Sequence, residues 1–201
     1  MRAVAEARVL PFRPRPQRPK QLVGNGVMGM ILFIFTEVML FAGFISAFII
    51  VKARAVGSVW PPPGQPRLPV ESTAFNTAAL LLSGLVLFLA HRAYLKGDRQ
   101  IVGRVGVAAL LGVLFVALQG REWAALLAEG LTLTSSSYGA FFYVIVGAHA
   151  LHAMGAIAAL VWAWRRLEAG SLSADALSTV ALFWYFVVLV WPVLYAQVYL
   201  A

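Results

Sequence analysis

Five ionisable residues stand in or beside apolar stretches, where such residues are rare. Glu37 lies near the middle of the apolar run Val27 to Val51, and a charged side chain at the centre of a bilayer costs at least ~2.5–3.5 kcal/mol. It must therefore be protonated or paired. It reads as a proton-handling carboxyl, as a contact to lipid or a partner, or as a neutral acid hydrogen-bonded to a neighbouring helix, a histidine being one candidate partner. His149 and His152, three residues apart, share one face of a helix, which is the spacing of a metal or haem motif. Two histidines on one turn cannot reach opposite faces of a haem, and His91 stands at the end of an apolar run. A zinc or iron site would need Glu37 and Glu122 as well, and there is no second Glu-x-x-His of the di-iron kind. Hydrogen-bonded packing histidines are the favoured reading. Arg121 and Glu122 are adjacent, so on a helix they point about 100° apart and each calls for a different partner. With Trp123 they read as an interfacial cluster that holds a lipid headgroup or a neighbouring subunit, or as a solvated helix end.

The elements that carry these residues follow from composition. Of 201 residues, 61% are apolar and 12% charged, with a mean hydropathy of +0.83; soluble domains carry about twice that share of charge. A hydrocarbon core of roughly 30 Å takes about 20 apolar residues as helix. Counting such runs predicts an all-α integral membrane protein, a bundle of about five transmembrane helices with spans near 24–53, 72–96, 101–127, 138–164 and 174–200. Residues 24–201 form one transmembrane domain, without an internal repeat. Residues 1–23 interleave arginines with prolines and read as a flexible basic tail. The first apolar run is much longer than the roughly 7–15 residues of a signal-peptide core and is expected to be retained.

Between the first two spans, Trp60-Pro61-Pro62-Pro63-Gly64 cannot be helical and predicts an extended interfacial loop with Trp60 at headgroup level. Ser72 is the expected N-cap of the second span. The polar turn at Lys96–Arg99 predicts a helical hairpin, Pro192 predicts a kink, and small residues from Gly147 to Ala156 allow close packing. The absence of cysteine excludes disulfides, thiolate catalysis and iron–sulfur ligation. A net charge of +8 does not indicate nucleic acid, because the basic residues lie in tails and short loops. Twelve Lys and Arg fall on one side and four on the other. That asymmetry predicts a cytoplasmic N-terminus and a C-terminus on the opposite side.

Taken in order, the motifs resemble subunit III of the haem-copper respiratory oxidases. Phe33-x-x-Thr36-Glu37-x-Met39-Leu40-Phe41-Ala42-Gly43 resembles that family's glutamate-bearing helix, and the Trp60–Gly64 loop and Asn76-Thr77 follow. Next come Gln119-x-x-Glu122-Trp123, the Gly130–Gly139 segment and Gly147-x-His149-x-x-His152. The resemblance runs from about residue 26 to the end and fits the short, five-helix bacterial form. It departs in the last helix, where Tyr185 and Val188 stand at positions that are usually His and Asp in the family.

The resemblance implies a non-catalytic subunit of a proton-pumping cytochrome c oxidase in a bacterial cytoplasmic membrane. It has no cofactor of its own, haem and copper residing in subunits I and II, its partners. It implies phospholipid held in a helix cleft, for which Glu37, His149, His152, Arg121 and Glu122 are the candidate residues. Trp60, Pro61 and Pro62 form the interface loop. A larger respiratory supercomplex would be a further partner. The alternatives are the subunit-III-like protein associated with nitric oxide reductase, and a small transporter or proton channel built on Glu37 and the histidines.

Overall fold

The computed structural model describes residues 24–55, 60–98 and 101–200; the proline-rich segment 1–23 lies outside them. Five helices follow in order: α1 (Asn25–Arg54), α2 (Val70–Leu95), α3 (Val102–Ala128), α4 (Ser137–Glu168) and α5 (Ala174–Tyr195), the last continued by a π-helical turn over Ala196–Leu200. Counting that turn with α5, the spans hold 26–32 residues and are roughly 39–48 Å long at 1.5 Å per residue. Each can cross a bilayer core with some tilt. Among the described residues there is no strand.

Local chemistry sets the ends. Ser136 and Ser173 accept the backbone N–H of Gly139 and Ala176, at 3.1 and 3.2 Å, and so cap α4 and α5. The expectation that Ser72 caps α2 is not met: α2 begins two residues earlier, after Pro69, whose ring already removes an N–H that needs a partner. The Ser72 hydroxyl is turned to α3 instead. Three helices stop in the same way. The amides of Asp98, Leu131 and Ser171 reach back to the carbonyls of Ala93, Leu126 and Arg166, and the residue before each is a glycine at positive φ. This is the Schellman closure, which requires a left-handed residue at its corner.

α2 and α3 form the expected hairpin, α3 also packs on α4, and α5 lies against α1, α2 and α4. α5 is thus the centre of the bundle. α1 is peripheral, packing on α4 and α5 and burying only Phe41 and Phe48. α5 continues through Pro192 to Tyr195, and the π-helical turn over Ala196–Leu200 follows it. Tyr199, in that turn, is buried.

The core is fixed by fully buried Trp184, whose indole donates to Ser83 Oγ at 3.1 Å while Ser83 donates to the Ala108 carbonyl at 2.7 Å. One tryptophan so ties α5 to α2 and α3. Its ring end lies over Gly112, where a Cβ would come within 2.5 Å of Trp184 Cη2. Gly112→Val therefore displaces a ring that is anchored at its other end. The full chain in mild detergent is expected to lose about 1–3 kcal/mol, the range of core overpacking, read as a lower denaturation midpoint; an unchanged midpoint would show that the ring is free to move.

Candidate functional site

The carboxyl of Glu37, on α1, lies 3.0 Å from His152 Nε2 on α4, both side chains being 16% exposed. His152 Nδ1 is 2.7 Å from the Ala148 carbonyl, so Nδ1 carries a proton and donates it. Nε2 then either accepts from a protonated Glu37 or, as imidazolium, donates to a carboxylate. Both arrangements are neutral overall, which removes the cost of a lone charge in apolar surroundings. Rings of Phe33, Phe41, Phe183 and Phe186 enclose the imidazole. The pair links peripheral α1 to α4.

His149 does not join it. One turn away, it packs between Phe41, Phe115 and Trp191, with 1% of its surface exposed, and its Nε2 has no hydrogen-bond partner. The shared helix face therefore divides, His152 toward α1 and His149 toward α3 and α5. Among the described residues no three His, Cys, Asp or Glu side chains converge.

A second network joins α2, α3 and α5 near the proline-rich loop. Glu122 accepts from Ser72 at 2.7 Å, from Thr73 at 2.9 Å and from Gln119 at 3.0 Å. Gln119 also donates to Tyr199 and accepts from Asn76, which donates to the Phe115 carbonyl as well. Trp191 donates to Thr77, and Tyr195 to the Val70 carbonyl. Glu122 and Arg121 diverge as their adjacency requires, but the partner expected for Arg121 is not found among the described residues. The connecting loops join in as well: Trp60 is half-buried against Phe48 and Tyr138, and Ser135 donates to Gln65. Pro61 and Pro62 flank that tryptophan, half-buried.

The sequence pointed to Glu122 but not to Gln119, Thr73 or Tyr199 as its network. The Gln119-x-x-Glu122 spacing puts both side chains on one face and was the available signal; Tyr199, from the end of the chain, carried none.

Between α1 and α5 runs an apolar groove of about 470 Å³, lined by Ile34, Val38 and Ile45 on one side and by Leu182, Leu189 and Val193 on the other. Tyr185 also reaches it. Residues 19–201 match the family model of cytochrome c oxidase subunit III. The chain belongs to that family. It is 35% identical to cytochrome c oxidase subunit 3 of Bos taurus over 179 residues, which cover 85% of this chain and 67% of the bovine protein. The subunits of Sus scrofa and Latimeria chalumnae are equally similar, at 35% with the same coverage. Tyr185 and Val188 of the last helix both pack toward α2. Ser178 donates to the Ala174 carbonyl and so accepts from His91 Nε2, leaving His91 Nδ1 to accept from the Tyr185 hydroxyl at 3.3 Å. Tyr185 thus meets a histidine on α2. Val188 is apolar and buried, and a Cβ on Gly84 of α2 would meet its side chain at 2.8 Å.

Proposed function

We propose that this chain is the non-catalytic subunit III of a proton-pumping haem-copper oxidase that passes electrons from cytochrome c to oxygen, multi-pass in a bacterial cytoplasmic membrane with its N-terminus inside. The family match over nearly the whole chain carries this reading. Haem and copper belong to subunits I and II, and the five apolar helices support a membrane-embedded partner of subunit I. The asymmetry of Lys and Arg between the two sides supports the orientation.

Its role is to stabilise the catalytic subunit and to hold phospholipid. The α1–α5 groove suits acyl chains, because its walls are apolar and mostly aliphatic and it lies on a helix that leaves most of its apolar surface uncovered. The Glu37–His152 pair keeps that wall in place, and buried His149 and the hydrogen-bonded Glu122 brace the remainder of the bundle. The Trp60–Pro62 loop forms the interface rim.

Extraction of the native membrane in mild detergent, with this chain as bait, is expected to recover a haem-copper catalytic subunit. The sample should consume oxygen and give haem bands in a reduced-minus-oxidised spectrum. Recovery of the chain without haem bands overturns the reading, and a partner that reduces nitric oxide moves the chain to the reductase branch.

A further inference from the structure

His149 and Trp123 each present a polar atom that no other side chain meets. The Nε2 of His149 and the indole Nε1 of Trp123 are buried and have no hydrogen-bond partner among the described residues. Both residues line one cavity of about 140 Å³ between α3, α4 and α5. Along α3 it reaches from Trp123 to Phe115, and along α4 from Val146 to Met154, each a rise of about 12 Å. Gln119 lines it too. Its Oε1 accepts from Asn76 at 3.3 Å, and an amide oxygen has two lone pairs, so one remains for another donor.

Volume alone does not decide what such a space holds. A cavity of about this size lined only by aliphatic and phenyl groups stays dry, whereas a water needs roughly 10–15 Å³ and two to four polar partners. Here the walls supply a donor at Trp123 and an acceptor at Gln119, and a neutral imidazole donates at one nitrogen and accepts at the other. Water matches that set because each molecule both donates and accepts. It takes the indole N–H, gives a proton to the amide oxygen, and bonds Nε2 whichever tautomer His149 adopts. An anion finds no use for the Gln119 oxygen and meets the cost of a charge among apolar walls; a cation offers nothing to the indole N–H. In such surroundings a donor or acceptor left unmet is costly, so the polar atoms themselves hold the occupant.

We propose that this cavity is a hydration site within the helical bundle: a small cluster of ordered waters, one accepting from Trp123 Nε1 and one bonded to His149 Nε2. Gln119 Oε1 ties the cluster to the Glu122 network. The two histidines of α4 are then both satisfied, His152 by Glu37 and His149 by water. Gly120 and Ala150 are small and Met154 is 51% exposed along the seam of α3 and α4, which leaves a route for exchange. The site is separate from the α1–α5 groove and depends only on packing within this chain, so it stands whether or not the oxidase assignment does.

The test takes the complex as extracted from its native membrane, exchanges it into heavy-oxygen water and exposes it to brief synchrotron X-ray pulses. Bound water is split to hydroxyl radicals that oxidise the nearest side chains, and mass analysis reads the oxygen taken up. Trp191 lines the cavity and Trp184, on the same helix, does not; both are fully buried, so radicals from bulk solvent reach neither. Trp191 is expected to take up oxygen several-fold faster than Trp184. His149→Phe, which keeps a ring and removes its nitrogens, should lower uptake at Trp191, and Ala150→Leu, which fills the seam, should bring it down to the level of Trp184. Equal uptake by the two tryptophans in the native complex overturns the proposal, because the cavity is then dry or filled by an apolar group. Rapid uptake at Trp191 that neither variant lowers overturns it as well, since the water is then passing through rather than held there. Should His149→Phe prove unstable, Ala150→Leu alone decides between these outcomes.

Discussion

Replacing His152 by leucine is expected to lower the stability of the full chain by roughly 2–3 kcal/mol. That lies between the ~0.6–1.7 kcal/mol of an interhelical hydrogen bond in a bilayer and the ~2.5–3.5 kcal/mol of a stranded charge. The cost arises on α1. Glu37 would face a ring of phenylalanines with no basic group near it, and α1 has little else to hold it, because it buries only two side chains. Glu37→Leu should cost less, since it strands a neutral imidazole whose Nδ1–H keeps the Ala148 carbonyl. Glu37→Gln should cost least and leave assembly intact, because the amide N–H can donate to Nε2. The double variant Glu37→Leu/His152→Leu should then lose clearly less than the two single losses added together, as replacing a whole buried pair by apolar groups is often tolerated. Denaturation of the four variants in mild detergent, followed by helical signal, tests this. Additive losses would mean that the two residues act separately and that the 3.0 Å contact contributes nothing.

The five spans were readable because bilayer thickness imposes a run length that composition alone reveals. Counting the π-helical turn with α5, the structure moves their ends by at most four residues, the largest shift being at the end of α4, which continues through Arg165 and Arg166 to Glu168. Helices stop at hydrogen-bond closures rather than at charges. Gly97, Gly130 and Gly170 mark those closures, whereas Arg165 does not. The site was readable in part for a similar reason. Glu37 and Glu122 stand out against apolar surroundings, so their need for partners could be inferred, but which neighbour meets that need depends on how helices rotate against each other. His149 and His152 illustrate the limit: their spacing is the same whether both serve one site or each packs on a different helix. Gln119 belongs to a recognisable motif, yet its role depends on Tyr199 and Asn76, which lie 80 and 43 positions away. The sequence carries no local mark of such long-range contacts.

Glu122→Ala is expected to be the second most damaging change, and its magnitude can be reasoned from the donors it abandons. Ser72 and Thr73 each have a substitute, because the Pro69 carbonyl lies 3.3 and 2.8 Å from their hydroxyls. Gln119 has none for that N–H. Its amide nitrogen keeps Tyr199 but loses Glu122 while only 4% of the residue is exposed. One buried unsatisfied donor costs roughly 1–3 kcal/mol. Glu122, on α3, sets its carboxylate against the first turn of α2, and its removal adds about 0.3–1 kcal/mol, since carboxylates at helix N-termini are favoured. A loss of about 2–3 kcal/mol follows. Glu122→Gln separates the two contributions. Its carbonyl oxygen can take the place of Oε2 and accept from both Thr73 and Gln119, while its NH₂ faces Ser72, whose hydroxyl can turn to Pro69 and accept. That variant keeps the hydrogen bonds and removes only the charge, so its midpoint should fall by no more than about 1 kcal/mol. Equal losses in Glu122→Ala and Glu122→Gln would mean that charge, rather than satisfied hydrogen bonding, joins α2 to α3. The neighbouring arginines would then have to be counted as partners of Glu122.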